Sequence, residues 1–211
     1  GGAVWNSGTL NIADGSVFSE NSNAKGSAIY NDYKAGKLTI GDNVKFSGNL
    51  TGAAVYGGGE IKIGDGAEFT GNAGGIALSA SNNGSLEIGD NAVFTKNNSK
   101  KGGAAININV GADKFVMGNN AKFSENTSTQ VGGALYIANN DATLGTGYTF
   151  ENNTGAQGGA LAYNGKNADA VLSLDNFTFD TNHAIGSTNK TAGGGALFIS
   201  NGVTGTVDIK N

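Results

Sequence analysis

The sequence predicts an all-β chain wound into a parallel β-helix of about eight coils, with one ladder of Phe and one of Asn inside it. Three observations carry that reading. Phe-x-x-Asn recurs at regular intervals, at Phe18/Asn21, Phe46/Asn49, Phe69/Asn72, Phe94/Asn97, Phe123/Asn126, Phe150/Asn153 and Phe179/Asn182. A small-small-Ala corner followed by an apolar pair alternates with it, reading Gly-Gly-Ala at Ala3, Ala104, Ala134, Ala160 and Ala196, and looser at Ala28, Ala54 and Ala77. Some distances between these marks are fixed while others stretch. Self-similarity at 23 to 29 residues per Phe is the signature of stacked repeats.

The strands come first. Apolar-x-apolar pairs lie between corner and Phe: Leu10/Ile12, Leu38/Ile40, Ile61/Ile63, Leu86/Ile88, Phe115/Met117, Leu172/Leu174 and Val207/Ile209, with Leu144 serving in the sixth unit. Period-2 patterning of this kind reads as a short strand, and no window shows helical periodicity. Strands so short bury a face only when neighbouring units stack and share a core. The absence of Pro agrees with strands paired on both sides, which need every N–H.

Spacing then defines the coil. From Ile12, Ile40, Ile63, Ile88, Met117 and Leu144 to the next Phe is 6 residues, and from Leu174 it is 5. Phe to Asn is always 3, whereas Asn to the next corner Ala ranges from 5 to 14. Fixed arcs hold the core; elastic arcs are corner loops. The six-residue step carries the turn Ile-Gly-Asp-Asn or Ile-Gly-Asp-Gly, residues suited to tight bends and positive φ. Asp14, Asp42, Asp65 and Asp90 are expected to bond the backbone of their own turns. A stacked carboxylate row could also suggest acid–base chemistry or a calcium row, but Asn119 and Thr146 interrupt it.

Composition narrows the functions. With 13 Lys, no Arg and a net charge of −4 there is no basic stripe for nucleic acid. Zero Cys excludes thiol catalysis, a disulfide framework and Cys-ligated zinc. No apolar run reaches membrane-helix length and no signal peptide opens the chain. His183 is the only imidazole, in the longest corner, and no triad can be assembled around it. No catalytic, cofactor or metal residue is therefore expected. Lys100-Lys101 form a small basic corner tip, read as a solubilising loop end with polyanion contact as the sharper alternative.

Alternating Gly-Gly-Ala-apolar and Phe-x-x-Asn motifs resemble the repeats of chlamydial polymorphic membrane proteins and related bacterial autotransporter passengers. The likeness spans Gly1 to Asn211, with departures at Gly26-Ser27-Ala28, Gly52-Ala53-Ala54 and Gly75-Ile76-Ala77. It implies a right-handed β-helix, extracellular display at the outer membrane, and adhesion to a host-cell protein, a glycan or another copy of the chain. The chain opens on a corner motif and closes just after Val207/Ile209 without a polar cap, so residues 1–211 read as a single passenger fragment. A carbohydrate-active β-helix enzyme and a passive stalk are the alternatives.

One row of side chains is a candidate contact strip. The residue after each corner Ala is aliphatic or small (Val4, Ile29, Val55, Leu78, Ala105, Leu135, Leu161, Leu197), and the next reads Trp5, Tyr30, Tyr56, Ser79, Ile106, Tyr136, Ala162, Phe198. Strand alternation sends the two sets to opposite faces. Aliphatics in the core would put Trp5, Tyr30, Tyr56, Tyr136 and Phe198 outside, where rings stack on sugars or anchor proteins. A bend at the corner could reverse that parity and bury them.

Overall fold

Each strand pairs in parallel with the strand one coil away, and like residues fall in register. In a computed structural model, which describes residues 1–32, 36–78, 84–108, 114–138, 142–165, 171–186, 193–200 and 202–211, the chain is a right-handed parallel β-solenoid. Three faces run its length. The first stacks Val4–Asn6, Ile29–Asn31, Val55–Gly57, Ile76–Leu78, Ile106–Ile108, Leu135–Ile137, Leu161–Tyr163 and Leu197–Ile199. The second runs from Thr9–Ile12 to Ala142–Leu144 in six strands and is continued by the pair Val171–Asp175 and Thr206–Lys210. The third holds seven strands, from Val17–Ser19 to Thr178–Asp180. Among the described residues this makes seven complete turns and part of an eighth.

The Phe ladder lies on the inner side of the third face. Successive rings from Phe18 through Phe46, Phe69, Phe94, Phe123 and Phe150 to Phe179 stack nearly parallel, with centroids 4.6 to 5.2 Å apart. That is the interstrand spacing, so the backbone repeat sets the ring repeat. The five central rings are fully buried.

The Asn ladder turns the next bend. The Nδ2 group of Asn72 donates to Asn97 Oδ1 at 2.9 Å and to the Phe46 carbonyl at 3.0 Å, and the Asn72 backbone N–H donates to the same Asn97 oxygen at 3.1 Å. Asn49, Asn97, Asn126 and Asn153 repeat the pattern. Each internal amide therefore uses both donors and both lone pairs on the stack. The residue before each ladder Asn is left-handed in all seven copies (Glu20, Gly48, Gly71, Lys96, Glu125, Asn152, Thr181; φ 51° to 63°). An L-residue costs roughly 1 kcal/mol or more there, and the amide bonds on both sides hold the bend regardless.

The core adjusts volume between coils. From the second third-face strand on, the position before the strand holds Val44, Ala67, Ala92 and Ala121, then Tyr148 and Phe177. Those two rings stack at 4.4 Å. The enlargement starts in the coil where Ala142 takes the register position of Phe115. The buried Tyr148 hydroxyl donates toward the Met117 and Gly118 carbonyls and accepts the Gly145 N–H. On the outer side of the second face, charges alternate between coils: Lys62 lies 3.7 Å from Glu87 of the next coil as well as 3.2 Å from Glu60 of its own strand, and Lys114 meets Glu87 at 2.9 Å. The Lys114 hydrogen bond holds the Glu87 carboxyl below its ordinary value, and the Glu60 bond raises Lys62. Such exposed pairs contribute little stability; their effect is to keep like charges from stacking.

Two predictions follow from the ladders. Asn97→Ala strands the Asn72 N–H and amide, removes a donor from the Phe69 carbonyl and leaves Asn126 Oδ1 with the backbone N–H alone, so urea unfolding should show a loss of about 3 kcal/mol or more. The same change at half-buried Asn21, at the end of the ladder, should cost visibly less. Burial raises the Tyr148 pKa above its ordinary value. The folded chain thus keeps a proton that the unfolded chain releases, and stability falls as pH rises above about 10. Tyr148→Phe should flatten that alkaline limb in a pH series of melting temperatures.

Candidate ligand-contact face

Parity at the corner places the rings on the outward side of the first face. Hydrogen-bond register aligns Val4, Ile29, Val55, Ile76, Ile106, Leu135, Leu161 and Leu197 on the first face. The six from Ile29 to Leu161 are buried, while Val4 and Leu197, in the terminal coils, are half-buried. The outward row beside them reads Trp5, Tyr30, Tyr56, Ala77, Asn107, Tyr136, Ala162 and Phe198. Trp5 is 61% exposed, and Tyr30, Tyr56, Tyr136 and Phe198 are half-buried. Tyr30 and Tyr56 stack at 5.9 Å with planes 16° apart.

Two members of the row differ from the sequence reading. The fourth corner is Ala73-Gly74-Gly75, because Val55 N–H bonds to the Gly75 carbonyl where Ile29 N–H bonds to Ala54. The fifth is Gly103-Ala104-Ala105 by the same register. Ala77 and Asn107 therefore stand in the row where Ser79 and Ile106 were expected, and Ala77 and Ala104 are not the corner alanines. Ile106 is a core residue. Ser79 lies outside the described residues, as does the side chain of Leu78. Ala162, expected outside, is buried.

Corner glycines seat the rings. The Tyr136 ring lies over Gly102, where an added Cβ would come within 3.0 Å of it, and Phe198 packs on two glycines, its ring 3.1 Å from a Cβ added at Gly193 and its own Cβ 2.9 Å from one added at Gly158. At the first glycine of four corners, Gly26, Gly103, Gly132 and Gly158, the backbone is left-handed as well, with φ of 60° to 66°. A Cβ at Gly103 would sit 2.0 Å from the Ile106 carbonyl oxygen.

Corner length then shapes the surface. Only Ala73 and Gly74 separate Asn72 from Gly75, whereas seven residues separate Asn97 from Ala105 and four separate Asn49 from Ala54. The fourth corner is recessed between its neighbours, leaving a notch of about 120 Å³ lined by Tyr56, Ala73, Gly74, Ala77, Lys101 and Asn107 among others. A second, shallower hollow of about 290 Å³ lies between Trp5, Tyr30, Asn23 and Lys25. In the longer corners, Asn98–Ser99, Thr127–Ser128, Thr154–Gly155 and His183–Ala184 add a short fourth sheet. His183 lies exposed in it, paired with Thr154.

The Asp row makes a bond other than the one expected. Asp14 Oδ1 accepts the N–H of Asp42 at 2.9 Å, Asp42 that of Asp65 at 2.8 Å, and Asp65 that of Asp90 at 2.8 Å. Asp90 and Asn119 continue the chain to Asn119 and Thr146. The side chains join one coil to the next instead of closing their own turns. This also accounts for the preceding glycine: a Cβ on Gly64 would lie 2.1 Å from Asp42 Oδ1, and one on Gly89 2.1 Å from Asp65 Oδ1. In the seventh coil, where Leu174-Asp175 omits that glycine, the step to Phe179 shortens to 5. Positive φ falls two residues after the glycine, at Asn43, Gly66, Asn91 and Asn120. Among the described residues no three His, Asp or Glu side chains gather into a metal-binding group.

No protein-family model, curated protein or solved structure matches the chain. The parallel β-solenoid fold is consistent with repeat proteins of the adhesin and autotransporter type in general, and identifies no specific family. As a scaffold it is compatible with adhesive, enzymatic or structural roles.

The Asp ladder predicts opposite outcomes for neighbouring substitutions. Asp65→Asn keeps an acceptor oxygen, as Asn119 does naturally, and should leave the melting temperature nearly unchanged. Gly64→Ala forces a methyl onto the Asp42 carboxylate and its backbone, and should destabilise by about 1–3 kcal/mol or abolish folding.

Proposed function

We propose that the chain is part of a non-enzymatic passenger displayed on a bacterial surface, which adheres to host or neighbouring cells through the outward aromatic row. The observation that carries this reading is the placement of Trp5, Tyr30 and Tyr56 side by side on the outside of a rod whose interior is filled by its own ladders. Exposed neighbouring rings are costly for solubility and favourable for contact, and a stacked backbone holds them without an entropic penalty on binding. Rows of weak contacts along a rigid face add by multivalency.

The Asp row supports the same reading over a carbohydrate-active enzyme. Its oxygens accept backbone N–H groups at regular intervals along the stack, which is a structural duty, and the row does not converge on one cleft. Extracellular display and tethering at the outer membrane belong to this proposal through the alternating motifs.

Fluorescently labelled chain should bind epithelial cells saturably, and Trp5→Ala/Tyr30→Ala/Tyr56→Ala should bind at least tenfold less at an unchanged unfolding midpoint. Equal binding by the two chains would dismiss the aromatic row as the contact surface. No binding by either would favour a passive stalk.

A further inference from the structure

The second face is interrupted. Its six-stranded part ends at Ala142–Leu144, and Val171–Asp175, beside it in the next coil, pairs with Thr206–Lys210 alone. Among the described residues, hydrogen bonds cross this seam only at its turn end. There Gly147 N–H donates to the Asp175 carbonyl at 3.2 Å, and Thr146 Oγ1–H donates to the same oxygen at 2.9 Å. The other faces pass the same level unbroken: Leu135–Ile137 pairs with Leu161–Tyr163, Thr149–Glu151 with Thr178–Asp180, and the Asn ladder runs on from Asn153 to Asn182.

The glycine missing from the seventh coil is the cause. Leu144 stands two residues before Thr146, as Met117 stands two before Asn119, whereas Leu174 stands one before Asp175. A bridge between Thr146 and Asp175 holds the turns in register. Counting back from it sets Leu144 level with Ser173 and Ala142 level with Val171, so the pleats on the two sides are one residue out of phase. The backbone is out of phase as well. Gly145 N–H bonds back to the Met117 carbonyl in the fifth coil, and alternation then turns the N–H and C=O of Leu144 and Ala142 toward the seventh. The Asp175 carbonyl points back to the sixth coil, and those of Ser173 and Val171 do the same. In a parallel ladder a residue facing its neighbour is level with one facing away. Here both face the seam.

Solvent reaches the core at this level. Ala142 and Leu144 point inward with coils on both sides of them, yet both are half-buried, whereas the inward residues of the strands from Lys37–Ile40 to Lys114–Met117 are buried. Leu172 and Leu174, across the seam, are buried too. We infer that the seam is a conformational device: the second face opens there as a slit and uncovers Leu172, while the first and third faces stay closed. Opening at the seam breaks the two bonds at Asp175; opening one coil earlier breaks the ladder from Phe115–Ala142 to Met117–Leu144. Regions with few backbone bonds open locally, at a free energy well below that of global unfolding. The slit lies on a different face from the aromatic row, so this inference is independent of the adhesive reading.

Thiol labelling tests it, because the chain has no Cys and an introduced one is unique. Leu86→Cys and Leu172→Cys each replace a buried inward residue, the first in mid-stack and the second at the seam. Under native conditions an aromatic disulfide reagent should modify the Leu172→Cys chain at least about a hundredfold faster than the Leu86→Cys chain. Inserting a glycine between Leu174 and Asp175 returns the step to Phe179 to 6 residues and brings the pleats into phase. Added to Leu172→Cys, it should slow labelling to the Leu86→Cys rate, whereas fraying of the last coils would label the thiol with or without the glycine. Amide exchange of the unsubstituted chain decides the matter if a variant does not fold. Leu144 N–H should exchange at least about a hundredfold faster than Ile88 N–H at the matching position, while Thr143 N–H, facing the fifth coil, stays slow. Equal labelling of the two thiols, labelling unchanged by the glycine, or equal exchange at Leu144 and Ile88 overturns the inference.

Discussion

A primary amide buried in a protein brings two donors and two lone pairs, and the structure depends on one arrangement that satisfies all four without water. In the Asn ladder the partners are supplied by the coil above and the coil below: an amide, a backbone N–H and a Phe carbonyl. The arrangement works only if successive coils are one strand spacing apart and in identical register. A slip of one residue would bury the amide with no partner and turn the Phe three positions earlier toward solvent. Register in this solenoid is thus set by polar groups, while the rings supply the apolar burial. The left-handed residue before each Asn shows the order of priority, since Glu, Lys and Thr are all forced into a conformation that suits glycine.

The same economy runs along the other bend. Asp14, Asp42, Asp65 and Asp90 do for the turn between second and third faces what Asn does for the next one, using an acceptor alone instead of a donor–acceptor pair. The difference follows from exposure. Turn carboxylates face water, which solvates the second oxygen, so an acceptor is enough. Inside, an unpaired donor or acceptor would be costly, so an amide is required. Asn119 can replace Asp in the outer row because its oxygen performs the same task, whereas no Asp occurs in the seven positions of the inner row.

How much was legible in the sequence depends on how distinctive each residue is. Phe-x-x-Asn and apolar-x-apolar spacings placed the coil, both ladders and the inward set in the regular coils, because large rings and aliphatics at fixed intervals allow one phase. The corner phase at Gly74-Gly75-Ile76-Ala77 and at Gly102-Gly103-Ala104-Ala105 was not legible. Runs of Gly and Ala satisfy a small-small-Ala pattern at more than one offset, and only the backbone register selects Gly75 and Ala105. The Asp bonds were misassigned for a related reason. Within a turn and across coils the same oxygen reaches an N–H at similar length, and the sign that separates the two was the glycine before each Asp, whose missing Cβ makes room for the carboxylate below. The notch was hidden behind the same phase error, since placing the corner at Ala77 conceals how short the link from Asn72 is.

Corner length is the variable that the ladders leave free. The ladders fix the arc from Phe to Asn, which is 3 residues in every coil, and hold the arc from strand to Phe at 6 except in the seventh coil, where the missing glycine shortens it to 5. Between Asn and the corner the backbone leaves the stack, and two to thirteen residues are accommodated between Asn and the corner position. Lengthening adds a local fourth sheet, as at Asn98–Ser99; shortening recesses the coil and opens space between its neighbours, as at Ala73-Gly74. Surface relief on this rod is therefore written by indels in a segment whose folding cost is small, on a core that does not register the change. A notch of this kind can arise one coil at a time, and the ring row beside it is already in place, because position after position in the first face must send one side chain outward.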